Sequence, residues 1–244
     1  MGKRAKKLKR WVAAFDNHGD MVDPDALAAF KRFCKDFKPD VRIHGGDCID
    51  FRAWRRGADL EDKMESMKAD VEAGVEFLSW FKPDVWTMGN HDHRLHRVIE
   101  GDHNADRRML AGMLWDQIQD AVPDTKIVPW GKRQYHQYCD YKFIHGYTHG
   151  MYAAKQAARV YGNVVMGHVH TPAADTAAHI DGARGYTSGC LCMVDMPYNA
   201  GHQNTMRQAN GWVYGFEING HLAVYLAERI GGEWVYPTEM GGAA

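Results

Sequence analysis

The chain has 244 residues, of which 45% are apolar, and its formal net charge at pH 7 is -1. This length and apolar content predict a globular protein with a sizeable core, which we interpret as a single domain over residues 1–244. No uninterrupted apolar run reaches membrane-spanning length, so a membrane partner is not expected. The near-neutral charge argues neither for nor against a nucleic-acid partner. The five cysteines include no CxxC pair, which favours reduced thiols and a cytoplasmic protein.

Residues 1–10 form a basic N-terminal tail that stands apart from this balance. Its lysines and arginines are Lys3, Arg4, Lys6, Lys7, Lys9 and Arg10. We interpret this segment as a solubilising tail before the first strand, with a contact to a phosphate backbone or another polyanion as the alternative. The apolar run that follows it is too short for a secretory signal.

Strands and helices alternate in the first half of the chain. Apolar runs predict strands at residues 11–15, 41–44 and 84–88. Helices are predicted at residues 24–37, 58–81 and 104–121, the first with Asp23 as its N-cap and Pro24 in its first turn. The second helix carries an apolar stripe in steps of four and three, which predicts docking on the core, with a dimer seam as the alternative: Leu60, Met64, Met67, Val71, Gly74, Leu78 and Phe81.

The second half of the chain is richer in predicted strands. They cover residues 126–130, 134–139, 141–145, 163–166, 186–194, 212–218 and 222–228, with one helix at residues 151–161. Asn219-Gly220 is typical of a hairpin turn. Cys190 and Cys192 lie two residues apart in an alternating stretch, which favours one face of a strand over a metal site. The polar segment 197–210 has no periodicity and is interpreted as a loop, for which a lid over a site is one hypothesis.

Five of the predicted strands end directly in side chains that bind metal ions. Asp16 and His18 follow the first strand, and the other four ends carry Asp47 with Asp50, Asn90 with His91, His145, and His168 with His170. In open α/β folds, binding sites form at the carboxyl ends of strands. Because residues two apart on an extended strand face the same side, we expect Asp16 with His18, and His168 with His170, to point into one pocket.

The chemistry of these side chains favours a dinuclear transition-metal site. Carboxylates, imidazoles and one amide oxygen suit Mn, Fe, Zn or Ni better than Mg or Ca, which prefer oxygen ligands alone. Seven candidate ligands are too many for one tetrahedral zinc ion. They fit two ions roughly 3.5–4 Å apart, an arrangement that acts on phosphates.

The motifs D-x-H, G-D-x-x-D, G-N-H-D, an isolated His and G-H-x-H follow one another between about residues 11 and 170. The chain resembles the calcineurin-like metallophosphoesterases, which are marked by the same motifs in the same order. The resemblance implies an α/β fold, a four-layer α/β/β/α sandwich of two mixed sheets with the site at the strand ends. Past His170, the stretch 188–192, the loop after it and the strand 212–218 are similar to a phage-encoded branch of these enzymes.

The resemblance also implies a role for each motif residue. It assigns the metal ligands as Asp16, His18 and His170 to a first ion, Asp47 to both ions, and Asn90, His145 and His168 to a second. It implies two divalent ions, for which we expect Mn²⁺ with Fe, Zn or Ni as alternatives, and a hydroxide between them that attacks phosphorus in line. His91 would protonate the leaving oxygen or steady the transition state, Asp50 would orient His91, and Asp92 would support them.

Basic residues outside these motifs are candidates for substrate binding. Arg52, Arg55 and Arg56 follow the G-D-x-x-D motif with Trp54 among them, a composition that can grip phosphates and stack a base; the alternative is a surface loop. Arg94 or Arg97 could hold a substrate phosphate, unless this stretch is a solvated helix start. For His149 the alternatives are likewise a contact with a substrate phosphate and a solvated surface position.

The sequence thus predicts a phosphoesterase but leaves its substrate open. One hypothesis is a metal-dependent nuclease on DNA, which the basic tail and the Arg/Trp segment favour. Another is a phosphoesterase for a small nucleotide or a phosphorylated metabolite. A third is a catalytically silent scaffold with the same fold, against which the complete set of ligands argues.

Overall fold

The computed structural model describes residues 8–58, 60, 64, 66–178, 182–194 and 207–238. Most of the basic tail, residues 1–7, and most of the predicted loop 197–210 lie outside the described residues. The predictions of a polyanion contact and of a lid therefore stay predictions.

The strands of the described residues form two mixed sheets. The larger sheet contains β1 (Lys9–Ala14), β2 (Val41–His44), β3 (Val85–Thr87), β4 (Lys126–Val128), β10 (Gly211–Ile218), β11 (His221–Ile230) and β12 (Glu233–Val235). The smaller sheet contains β5 (His136–Tyr138), β6 (Tyr141–Ile144), β7 (Val164–Met166), β8 (Ala173–Thr176) and β9 (Arg184–Thr187). The strand orders are β12-β11-β10-β1-β2-β3-β4 and β5-β6-β7-β9-β8. Strands β1 to β4 are mutually parallel, and so are β6, β7 and β9.

The α-helices whose bounds lie within the described residues are α1 (Pro24–Phe37), α2 (Met67–Phe81), α3 (Asp92–Gly101), α4 (Ala105–Ala121) and α5 (Ala153–Tyr161). Helix α1 begins where the sequence predicted, because the Asp23 side chain accepts the Ala26 N–H and Pro24 occupies the first turn. Among the described residues, none of the helices has the length and apolar character needed to cross a bilayer.

Alternating side chains on β1 join the layers into one stack. Trp11 and Phe15 point toward the smaller sheet and pack with Phe143 of β6. Val12 and Ala14 point to the opposite face, where α1 and α2 cover the larger sheet. Helix α5 packs on the outer face of the smaller sheet through Ala157 and Ala158 against β7. These contacts give the order helices, sheet, sheet, helix, which confirms the predicted α/β/β/α sandwich.

Two predicted elements differ from the structure. Helix α2 begins only at Met67, because the Ser66 side chain accepts the Ala69 N–H as an N-cap. Leu60 and Met64, the first two positions of the predicted stripe, are exposed, so that part of the prediction is wrong. The predicted strand 186–194 is also wrong beyond Thr187, where β9 ends. Strands β8 and β12 and the full extent of α3 were not predicted.

Asp70 of α2 anchors the loop that follows β2. Its carboxylate is buried and accepts the backbone N–H groups of Asp50 at 3.0 Å and of Phe51 at 2.6 Å. The helix therefore holds in place the loop that carries the G-D-x-x-D motif.

We expect Asp70→Ala to lower the free energy of unfolding by about 2–4 kcal/mol, because it leaves two buried N–H groups without acceptors. Urea unfolding followed by circular dichroism measures this loss. The control is Glu72→Ala on the exposed face of the same helix, which should change stability by no more than about 0.5 kcal/mol. Equal effects of the two substitutions would contradict the anchoring role.

Candidate metal centre

The carboxyl ends of five strands meet at one edge of the sandwich. Strands β1, β2 and β3 of the larger sheet end there, as do β6 and β7 of the smaller sheet. The loops after these strands bring together the residues that the motifs predicted: Asp16, His18, Asp47, Asp50, Asn90, His91, His145, His168 and His170.

Local backbone conformation, rather than strand alternation, directs these side chains. Strands β1 and β7 end at Ala14 and Met166, before the motif residues begin. Five of the motif residues have a left-handed backbone conformation, with φ between 50° and 70°: Asp16, His18, Asp47, His168 and His170. The pairs do converge, but the expectation that they sit on extended strands is wrong. Aspartate and histidine enter this region more readily than most residues, and such conformations cluster at functional sites.

A first group of donor atoms surrounds the Asp16 carboxylate. His170 Nε2 lies 3.4 Å from Asp16 Oδ1, and His18 Nε2 lies 3.9 Å from the same oxygen. The two imidazole nitrogens are 3.3 Å apart. Asp47 Oδ2 is 4.0 Å from His18 Nε2, so the Asp47 carboxylate borders this group.

A second group adjoins the first through the same Asp47 carboxylate. His145 Nε2 lies 3.0 Å from Asp47 Oδ2 and 3.1 Å from the side-chain oxygen of Asn90. His168 Nδ1 is 3.2 Å from His145 Nε2. Asp47 thus lies between the two groups, in the position that the resemblance implies for a shared ligand.

These donors fit divalent cations. Asp16 Oδ1 is buried and makes no hydrogen bond of standard geometry with the described residues. The Nε2 atoms of His18 and His170 lie 3.3 Å apart. Each of these nitrogens has a lone pair that must bind either a proton or a metal ion. Carboxylate oxygens and imidazole nitrogens that converge within 4.8 Å form a set that could hold a metal ion.

Two glycines of the motifs allow the carboxylates to approach the backbone closely. A Cβ atom on Gly89 would lie 2.0 Å from Asp47 Oδ1, and one on Gly167 would lie 2.5 Å from Asp16 Oδ2. Instead, the neighbouring N–H groups of His91 and His168 donate to these same oxygens, at 2.8 and 2.9 Å. The glycine before each motif histidine therefore makes room for an acid from another strand.

Residues behind the donors hold them in place. Asp92 accepts the backbone N–H groups of Cys48 at 2.9 Å, Ile49 at 3.0 Å and Gly89 at 2.8 Å, which ties the loops after β2 and β3 together. Supporting contacts of this kind orient metal ligands in proteins.

Cys192 lies on the far side of the His170 ring. Its Sγ is 3.7 Å from His170 Nδ1, while Nε2 of the same ring faces His18. Burial raises the pKa of the Cys192 thiol well above its ordinary value, so this thiol is neutral. The expectation of a strand face for Cys190 and Cys192 is wrong, because both residues form only isolated bridges, with Asn210 and Val22.

His91 stands at the open side of the cluster with two partners. Its Nδ1 contacts Asp50 Oδ1, and its Nε2 lies 3.1 Å from an amino nitrogen of Arg94. Arg94 also donates to Asp50 Oδ1 at 2.8 Å and to the Asp50 carbonyl at 2.9 Å. Asp50 therefore fixes both the imidazole and the guanidinium. Burial lowers the pKa of His91, although the charges of Asp47 and Asp50 oppose this effect.

The ionisation of the cluster follows from burial and from the opposite charges. Burial raises the pKa of Asp16, but the charges of His170 and His145 outweigh it and lower that pKa to about 2. Burial lowers the pKa of His145, but the Asp47 carboxylate raises it to about 9. Burial and the charge of His145 lower the pKa of His168 to about 3. Burial lowers the pKa of His170, but the Asp16 carboxylate raises it well above its ordinary value. The carboxylates are thus ionised at neutral pH, and a cation would replace the protons that His145 and His170 carry.

The predicted substrate residues fall into different environments. Arg52 forms two hydrogen bonds with the Asp20 carboxylate, at 2.7 and 2.8 Å, and its side chain is largely buried. Trp54 stacks on Phe51 with ring centroids 5.8 Å apart. His149 is exposed, and its Nε2 lies 3.2 Å from His168 Nε2.

Arg55, Arg56 and Arg94 instead line a cleft beside Asn90. The aromatic residue in this cleft is Trp130, not Trp54, and sequence reasoning missed it. Trp130 follows β4, which is parallel to β3. The sequence analysis placed Trp130 inside a predicted strand over residues 126–130 and selected only side chains that bind metal ions, so its strand-end rule did not select Trp130.

The known proteins to which this chain is similar are found among solved structures. No family model matches the chain, and no curated protein matches it. The chain is similar to a metallophosphoesterase from Sphaerobacter thermophilus, at 15% identity over 91% of this chain and 89% of that one, with a TM-score of 0.49.

Two further structures share this likeness. YfcE, a phosphoesterase from E. coli, has 13% identity over 88% of this chain and 98% of its own, with a TM-score of 0.43. Vacuolar Protein Sorting 29 from Cryptosporidium parvum has 11% identity over 93% and 95%, with a TM-score of 0.46. Similarity at these identities and TM-scores does not establish an activity. The function therefore has to be argued from the side chains of this chain.

We expect Asp47→Asn to lower the affinity for Mn²⁺ by about 100-fold or more, because the substitution removes the charge shared by both donor groups. Titration of the metal-free protein against a competing chelator measures the affinity, and circular dichroism checks that the variant is folded. The control is Asp36→Asn on the exposed face of α1, which should bind Mn²⁺ as the wild type does. A folded Asp47→Asn protein with unchanged affinity would contradict the site.

We also expect metal affinity to rise with pH. A metal ion needs the unprotonated imidazole, and the pKa of His145 is raised to about 9, so binding displaces a proton at any pH below that value. Between pH 6 and 8 the apparent affinity should increase roughly tenfold per pH unit for each displaced proton. Calorimetry at pH 6, 7 and 8, in buffers of different ionisation enthalpy, counts the released protons. An affinity that is constant over this range would be inconsistent with the protonated cluster.

Proposed function

We propose that this chain is a metal-dependent phosphoesterase of the calcineurin-like type, which hydrolyses phosphodiester or phosphomonoester bonds. The observation that carries the proposal is the convergence of two donor groups on the shared carboxylate of Asp47, with a histidine that is not among the ligands at their open side. Paired cation sites of this composition act on phosphates.

The proposed ligands follow the two donor groups. Asp16, His18 and His170 would hold one ion, Asn90, His145 and His168 the other, and Asp47 both. When bound, the ions would compensate the charge of the phosphoryl oxygens and lower the pKa of a water molecule that attacks phosphorus. The mixed set of carboxylate, imidazole and amide donors favours Mn²⁺, with Fe, Zn or Ni as alternatives.

His91 and Arg94 would act on the leaving group. Hydrolysis forms a bond between a water oxygen and phosphorus and breaks the ester bond, so the leaving oxygen must gain a proton. His91 Nε2 faces the cluster, 3.8 Å from Asp47 Oδ2, and the charges of Asp47 and Asp50 favour the imidazolium form of the ring against the effect of burial. The guanidinium of Arg94, held by Asp50, lies 3.1 Å from His91 Nε2 and would donate to the leaving group beside it.

The substrate is a phosphate ester, and two substrate classes fit the site in different ways. The basic tail and the arginines near the G-D-x-x-D motif favour a nuclease activity on DNA. A small nucleotide is favoured by the compact cleft beside Asn90. A silent scaffold is disfavoured, because both donor groups are complete and His91 is oriented by Asp50.

We expect His91→Ala to lower the turnover of an alkyl phosphodiester with Mn²⁺ by roughly 10²–10⁴-fold, because its alkoxide leaving oxygen needs a proton. Turnover of bis-p-nitrophenyl phosphate should fall far less, because p-nitrophenolate leaves as an anion. Metal content, measured by mass spectrometry, should stay near that of the wild type. The control is His221→Ala, which removes an exposed histidine on β11 that pairs with Asp140. Full activity in the His91→Ala protein would overturn the role of His91. A wild-type protein that binds Mn²⁺ but hydrolyses no phosphate ester would overturn the proposed function.

A further inference from the structure

A cleft of about 250 Å³ opens next to the candidate metal centre. Asn90 forms the wall that the two share, because its side-chain oxygen contacts His145 while the residue also lines the cleft. A substrate with its phosphorus at the metal centre would therefore extend directly into this space. The rest of the lining is mostly basic: Arg55, Arg56, His93, Arg94, Arg97 and Trp130.

Among the described residues, two of the arginines, Arg56 and Arg97, bring positive charge that no nearby carboxylate compensates. Arg94 is neutralised by Asp50, at 2.8 Å. Within the part of the chain that the structure describes, no carboxylate lies within 4.0 Å of Arg56 or Arg97. Arg97 donates only to a neutral acceptor, the carbonyl of Trp54, at 3.3 Å. Burial and the charges of Arg56 and Arg94 lower the pKa of Arg97, as expected where cations are crowded together. The cleft is therefore suited to an anion.

A rigid aromatic wall completes the cleft. The Trp130 ring packs on Tyr147 with centroids 5.1 Å apart and an angle of 27° between the planes. His93 contacts the same ring at 5.4 Å. An indole fixed in this way offers a flat surface on which a nucleobase can stack.

Building on the proposed function, we propose that this cleft is a second substrate subsite, which selects nucleotides that carry a further phosphate beside the reacting one. Arg56 and Arg97 bind that second phosphate, and Trp130 contacts the base. The cleft is compact and local, whereas single-stranded nucleic acid is bound along extended basic grooves. The favoured class is therefore nucleoside diphosphates and related small nucleotides.

The test separates this subsite from metal-dependent chemistry. The chain of 244 residues is kept metal-free with a chelator, and its binding of ADP, adenosine and a single-stranded oligonucleotide is measured by isothermal titration calorimetry. ADP should bind about tenfold more tightly than adenosine, which has no phosphate for Arg56 and Arg97. Arg56→Gln and Arg97→Gln should each weaken ADP binding about tenfold, and Trp130→Ala should weaken ADP binding but not pyrophosphate binding. The control Arg159→Gln alters an exposed arginine on α5 and should bind ADP as the wild type does.

The outcomes distinguish the two proposals. Equal binding of adenosine and ADP, unchanged ADP binding in both arginine variants, or tighter binding of the oligonucleotide than of ADP would overturn the subsite, whether or not the protein hydrolyses bis-p-nitrophenyl phosphate. Selective ADP binding in a protein that shows no hydrolysis with any metal would leave the subsite supported and overturn the phosphoesterase activity.

Discussion

Two carboxylates, Asp16 and Asp47, are buried together at the meeting point of five strand ends, and both are ionised at neutral pH. Removing such a charge from water costs several kcal/mol, so the surrounding residues must supply compensating positive charge. The imidazoles of His145 and His170 do so when they are protonated, and divalent cations would do so more strongly. Much of the surrounding structure serves to keep these two acids close together.

The loops around the acids are arranged accordingly. Backbone N–H groups of His91 and His168 point at the acid oxygens, and a glycine precedes each histidine where a side chain would collide. The left-handed conformations of the donors cost about 1–3 kcal/mol each and persist because their surroundings leave no alternative. The segment after β9 contributes as well, since the N–H groups of Leu191 and Cys192 both donate to the Asp16 carbonyl at 3.1 Å.

Much of this arrangement could be predicted from the sequence, because it depends on local patterns. Apolar runs that end in Asp, Asn or His marked the strand ends, and Asp23 with Pro24 marked the start of α1. Features that depend on distant partners could not be predicted in this way. After Thr187 the chain leaves the smaller sheet, and the backbone N–H of Cys190 donates to the carbonyl of Ala209, a contact that alternation of apolar residues does not reveal. Pairing of Arg52 with Asp20, and the role of Asp70 as an anchor, likewise depend on residues far apart in sequence.

The central claim is that the two donor groups around Asp47 hold a pair of divalent ions. Electron paramagnetic resonance during titration of the metal-free protein with Mn²⁺ tests it most directly. The account predicts two ions per chain, with spectra that show magnetic coupling between them once both are bound. A protein that binds one isolated ion, or none, at saturating Mn²⁺ would contradict it.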